Sequence, residues 1–136
     1  MPVLIYKVST AIVTRINQML KEEHLTFQQF SVLIFMNREG GEVCGRDICQ
    51  YLGISHATSV GVTSRMVFRD LLLTHQSEED RRMTLFTLTA EGRAVLARCD
   101  HLMLDVRDRF VGCMSHKEYD AFFSSLLKVE EAFKEE

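Results

Sequence analysis

The chain has 136 residues, 26% of them charged, with 16 Lys and Arg against 19 Asp and Glu and a formal net charge of −3. That length suits one domain able to bury roughly two thirds of the surface its unfolded chain would expose. A hydrophobic content of 46% with one Pro and seven Gly excludes disordered, fibrous and loop-dominated classes.

The acidity argues against a simple basic module that coats nucleic acid, but it is unevenly spread. Residues 1–45 carry four basic and four acidic groups, 46–98 seven and six, and 99–136 five and nine. The negative charge therefore belongs to the tail. Lys7 and Arg15 interrupt the N-terminal stretch, and the longest apolar run, Val32 to Met36, is far short of the about 20 residues a bilayer span needs. A cytoplasmic protein without a membrane segment is expected. Cys44, Cys49, Cys99 and Cys113 form no CxxC pair, so reduced thiols are expected.

In chain order, Ile5, Val8, Ile12, Ile16, Met19 and Leu20 predict an amphipathic helix over about 4–23. Thr26-Phe27-Gln28-Gln29 has the form of a capping box and opens a helix through Phe30, Leu33 and Ile34 that stops near Gly40-Gly41. A short helix follows from about Gly45 to Leu52, then Gly53 in a left-handed turn position, then a helix capped by Ser55 and running to about Arg69. Leu71-Leu72-Leu73 and Met83 to Leu88 flank the polar loop Ser77 to Arg82 and read as a β-hairpin. Thr89 begins one long helix with the stripe Val95, Cys99, Leu102, Met103, Val106 and Phe110. Ser115-His116-Lys117-Glu118 is a second capping box, opening a last helix with Phe122, Phe123, Leu126, Leu127 and Phe133. The fold class is mainly α with a small β-hairpin.

Residues 45–69 have the spacing of a helix-turn-helix. Its second helix must present short polar side chains near its start to a major groove about 12 Å wide. His56, Thr58 and Ser59 are those entrants, with Val62 and Met66 facing inward. Ser55 serves as cap and lies beside them. A hairpin directly after such a helix makes a wing whose tip can reach phosphates or the minor groove.

The stretch Leu52-Gly53-Ile54-Ser55-His56-Ala57-Thr58 resembles the turn and recognition-helix start of the MarR-type winged-helix transcriptional regulators. The register continues without a gap through Arg65 and Ser77-Glu78-Glu79-Asp80-Arg81-Arg82 to Leu88-Thr89-Ala90-Glu91-Gly92, and Leu25-Thr26-Phe27-Gln28-Gln29-Phe30 resembles the family's second-helix opening. The resemblance implies one domain over 1–136, with a winged-helix lobe at about 25–89 and dimerisation helices at about 1–24 and 90–136.

It further implies a homodimer that represses a pseudo-palindromic operator on double-stranded DNA and is relieved by a small ligand or modification. Ser55, His56, Thr58 and Ser59 would enter the major groove and Arg65 would lie near the backbone. Arg81 or Arg82 would reach the minor groove, with Asp80 holding the Arg82 guanidinium. Small aromatic effectors are expected in this family, and Tyr6, Phe30 and Phe110 are candidate lining residues. The chain departs from the family pattern in having Asp70 where a Gly closes the recognition helix, Thr74 where Arg follows the first wing strand, and Gly61 inside the recognition helix.

Two other readings stay open on the residues. The recognition helix carries only Arg65 and Arg69 as cations, which leaves room for a winged-helix dimer that binds a protein partner. Cys44, beside Gly45-Arg46, is the candidate thiol of a redox-responsive regulator. His101, Cys113 and His116 lack metal-ligand spacing, and no P-loop, nucleophile elbow, HExxH or dinucleotide fingerprint is present. No catalysis, metal or cofactor is expected.

Overall fold

The computed structural model describes residues 1–134; Glu135 and Glu136 of the acidic tail lie outside the described residues. The elements run α1 (Pro2–Met19), a 3₁₀ turn (Lys21–Glu23), α2 (Phe27–Arg38), β1 (Glu42–Cys44), α3 (Gly45–Leu52), α4 (His56–Phe68), β2 (Leu72–Gln76), β3 (Thr84–Leu88), α5 (Ala90–Arg98), α6 (Asp100–Cys113) and α7 (His116–Ala132). They form two compact units, Met1–Cys99 and a second that begins at Asp100. Among the described residues no helix is long and apolar enough to cross a membrane.

Local chemistry sets most helix starts. Thr26 accepts from the Gln29 amide while the Gln29 side chain accepts from the Thr26 amide, and Ser115 and Glu118 repeat the exchange at α7. Ser55 accepts from the Thr58 amide at 3.2 Å, and Gly53, at φ 66, closes α3 in the left-handed region.

Two expectations are corrected. The sheet has three antiparallel strands in the order β1-β3-β2, not two. Glu42 to Cys44 pair with Thr87 to Leu85, covering an edge of β3 that a bare hairpin would leave open. The long helix expected from Thr89 is interrupted at Cys99, whose amide is shared between the carbonyls of Val95 and Leu96, both at 3.1 Å. That sharing tightens the last turn of α5.

The core of the first unit gathers Leu20, Leu33, Met36, Ile48, Met66, Leu71 and Leu72, all less than 2% exposed. The start of α5 is pinned directly to the chain leaving α4. Thr89 Oγ1 accepts from the Gly92 amide, and the Thr89 hydroxyl lies within donating distance of the Asp70 and Leu71 carbonyls at 2.6 and 2.9 Å. This approach requires glycine at position 92, since a Cβ there would overlap the Leu71 carbonyl oxygen and crowd Leu88 Cδ1. Gly92→Ala is therefore expected to cost about 2 kcal/mol or more through displaced backbone, read as a lower urea midpoint. An unchanged midpoint would show that this packing yields freely.

In the second unit, α6 and α7 are joined through an aromatic cluster. Phe110 lies 6.3 Å from Tyr119, edge to face, and 6.3 Å from Phe122. No residue of α7 is buried, and Phe122, Phe123, Leu126, Leu127 and Phe133 are exposed. In the first unit the N-terminal part of α1 likewise exposes Val3, Leu4, Ile5, Tyr6 and Val8, whereas Ile16 near its end is buried.

Candidate nucleic-acid interface

The helix pair α3 and α4 is held by burial of Ile48 against the core on one side and of Val62 and Met66 on the other. This leaves Ser55, His56, Ala57, Thr58, Val60, Ser64 and Arg65 exposed on α4 and its cap. His56 and Thr58 thus stand where the spacing put them. Ser59 does not: it is 3% exposed, because it falls on the same helical stripe as Val62, Thr63 and Met66. Its carbonyl also accepts from the Thr63 hydroxyl at 3.0 Å. Ser59 is therefore recessed, lining the concavity between α4 and the wing strands, while Val60 beside it is 46% exposed. Hydroxyl chemistry pointed to Ser59, and only the phase of the helix separates the two.

Ser55 is engaged as a cap, and its hydroxyl also donates to Thr58 Oγ1 at 2.9 Å. Asp70 adopts φ 61, occupying the left-handed position that glycine fills most cheaply. Arg69 turns away from the exposed face of α4 to donate to backbone carbonyls of Glu23 and His24 in the turn between α1 and α2. Arg65 remains exposed.

The wing tip is a hydrogen-bonded turn. The buried Ser77 accepts the Asp80 amide on Oγ and gives its own amide to Met83. Asp80 Oδ1 then accepts both the amide and Nε of Arg82, at 3.1 and 3.2 Å, while Nη2 lies 3.5 Å from Oδ2. The Arg82 side chain is nevertheless 92% exposed. The guanidinium is thus oriented without being neutralised by burial. Arg82 holds the Asp80 carboxyl below its ordinary range, and Arg46 at the start of α3 adds to the effect. Arg46 therefore belongs to the wing's electrostatic field, which its sequence position 34 residues from Asp80 concealed.

A concavity of about 370 Å³ lies between α4 and the wing strands, lined by His56, Val60, Ser64, Val67, Thr74 and Thr84 among others. A second, of about 500 Å³, is bordered by Glu39, Glu42 and Asp47 beside the stacked rings of Phe35 and Tyr51. Its carboxylates have the wrong sign for phosphate. The α4 and wing face is the one suited to nucleic acid.

A family model described as "Winged helix DNA-binding domain" matches residues 25–92. The chain belongs to the winged-helix DNA-binding domain family. The BpsR regulator of Bordetella bronchiseptica is similar at 28% identity and TM-score 0.82, over 93% of this chain and 96% of that one. MepR of S. aureus in its DNA-binding conformation shares the fold at 16% identity and TM-score 0.88, over 98% of both chains. A mutant MarR from E. coli complexed with operator DNA shares it at 22% identity and TM-score 0.83, over 93% and 90%. No curated protein sequence matches the chain. The α4 and wing face therefore lies within a winged-helix DNA-binding domain.

The remaining sequence candidates fall elsewhere. Phe30 is 3% exposed in the core of the first unit, on α2 with the equally buried Leu33. Tyr6 is 71% exposed on α1, and Phe110 is engaged with the rings of its own unit. Cys44 closes β1, half-buried, at the cap of α3. Burial pushes the Cys99 thiol up, which disfavours the reactive thiolate.

Proposed function

We propose that this winged-helix protein is a MarR-type transcriptional regulator, a cytoplasmic homodimeric repressor of a pseudo-palindromic operator, released by a small aromatic ligand. The observation that carries the reading is the joint exposure of the start of α4 and of Arg82, held outward by Asp80. His56 and Thr58 meet base edges, and Val60 meets thymine methyl groups. Arg65 lies toward the phosphates, and Arg81 and Arg82 serve the adjacent minor groove and backbone, with Arg46 adding positive charge to the field at Asp80.

The bare apolar rows of α1 and α7 support the dimer, because monomeric surfaces rarely keep contiguous apolar patches of that kind. In such a dimer the two α4 helices enter successive major grooves about 34 Å apart. DNA binding by BpsR is regulated by 6-hydroxynicotinic acid, and another structural relative binds 2,4-dichlorophenol. A small aromatic acid or phenol is accordingly the effector class proposed for this chain.

The test is selection of genomic fragments on the purified protein, followed by anisotropy titrations between about 50 and 200 mM salt. A pseudo-palindromic fragment bound with a steep salt dependence is expected. Retention of no fragment above non-specific level would overturn the reading.

A further inference from the structure

The turn between α1 and α2 is gripped by two arginines from distant parts of the chain. Arg69, the residue that follows α4, donates through Nη1 to the His24 carbonyl at 2.7 Å and through Nη2 to the Glu23 carbonyl at 2.9 Å. Arg98, the last residue of α5, donates through Nε and Nη2 to the two carboxylate oxygens of Glu23, at 2.9 and 3.1 Å. His24 sits at φ 55, a left-handed conformation that few non-glycine residues adopt. Three elements thus meet at one short turn: the end of α1, the end of α4 and the end of α5.

We propose that Arg69 is a positioning residue for DNA recognition, tethering the C-terminal end of α4 to the α1–α2 turn and so setting where each recognition helix stands in the dimer. The inference rests on the dimeric operator-binding function proposed above. Both terminal nitrogens of Arg69 are committed to carbonyls 45 and 46 residues away, so its charge is directed into the protein. The planar fork gives each carbonyl its own nitrogen in a fixed geometry, which the single, freely rotating ammonium of a lysine does not reproduce.

The leverage is large. With 13 residues at 1.5 Å rise, α4 is about 20 Å long, so a tilt of about 10° at its tethered end moves its groove-entering end by about 3 Å. That displacement is close to the 3.4 Å step between base pairs. The Glu23–Arg98 fork keeps the turn itself in place, and Arg98 holds the Glu23 carboxyl below its usual range, with Arg69 contributing. Because α1 also bears the exposed apolar row, a shift at the dimer surface has a direct route to the recognition helix.

The experiment compares wild type, Arg69→Met, Arg69→Lys and Glu23→Gln on an operator recovered by the genomic selection, and on versions with one base pair added or removed between half-sites. Each titration is repeated across salt, and each variant's folded fraction is measured. Arg69→Met is expected to weaken binding at the natural spacing about tenfold. It should also shrink the penalty for altered spacing, with the salt slope unchanged. Arg69→Lys should behave like Arg69→Met, and Glu23→Gln, which leaves the chain more native should Arg69→Met unfold, should shift spacing preference in the same direction.

A salt slope shallower by about one per protomer with spacing preference intact would make Arg69 a phosphate contact and overturn the proposal. Weaker binding that merely tracks the folded fraction, with spacing preference intact, would overturn it as well. Failure of the wild type to bind any fragment is a separate result and overturns the function on which the proposal rests.

Discussion

Replacing Arg81 and Arg82 together by alanine is expected to weaken operator binding on the order of 1,000-fold near physiological salt, taking the low end, about 1 kcal/mol, for each of the four arginines a dimer loses. Both residues are exposed at the wing tip. Arg82 is oriented by its hydrogen bonds to Asp80 and keeps 92% of its side chain open to solvent. A dimer has two wings, so the substitution removes four cations. The dependence of log affinity on log salt should become shallower by about 0.9 for each phosphate that is no longer neutralised.

Asp80→Ala separates orientation from charge. Removing a carboxylate beside DNA would tighten binding if simple electrostatics governed the wing. It should weaken binding if the carboxylate's role is to hold the Arg82 fork and the turn. Anisotropy titrations across salt read both effects. Equal affinity and slope in wild type and the double variant would remove the wing from the interface.

Phe123→Glu with Leu127→Glu is expected to convert the protein to a monomer and to reduce operator affinity toward the non-specific level, a loss on the order of 1,000-fold. These residues lie four apart on α7 and are 54% and 51% exposed, so the substitutions remove apolar surface that the chain itself leaves uncovered. Each half-site alone offers one recognition helix and one wing, and the second half-site is gained only while the protomers stay together. Sedimentation velocity reads the assembly and circular dichroism checks that helix content is retained. A variant that remains dimeric would move the dimer contact away from this face of α7.

The helix starts were the most legible part of the fold, because they depend on side chains within three residues of the backbone groups they satisfy. Thr26 with Gln29, Ser115 with Glu118, and Ser55 before α4 all act as their local chemistry dictates. The pairing of Asp80 with Arg82 was readable for the same reason, the two being two residues apart in a turn. The helix-turn-helix spacing of residues 45–69, followed directly by a hairpin, singled out α4 as the candidate recognition helix, and the family register agreed with it.

What escaped the sequence involves partners far apart or choices between equivalent residues. β1 is three residues long and without alternation, and its existence depends on β3, whose Leu85 and Thr87 pair with Cys44 and Glu42 from 41 and 45 positions away. The stripe through Cys99 is continuous, and the break there is a matter of how one amide is shared. Ser59 and Val60 exchange the places that their polarity suggests, because packing of Val62 and Met66 sets the rotation of α4.

By itself the sequence determined the helix-turn-helix spacing, the capped start of α4 and the charged turn after β2, since short-range hydrogen bonding and apolar periodicity act within a few residues. Tertiary structure alone decided which face of α4 is open, that Arg46 stands in the field of the wing, and that Arg69 donates to carbonyls of the α1–α2 turn. Those outcomes depend on contacts between segments separated by tens of residues, and no local rule carries that information. The net charge of −3 is reinterpreted accordingly: the cations that matter are few, and the fold, not their number, orients them.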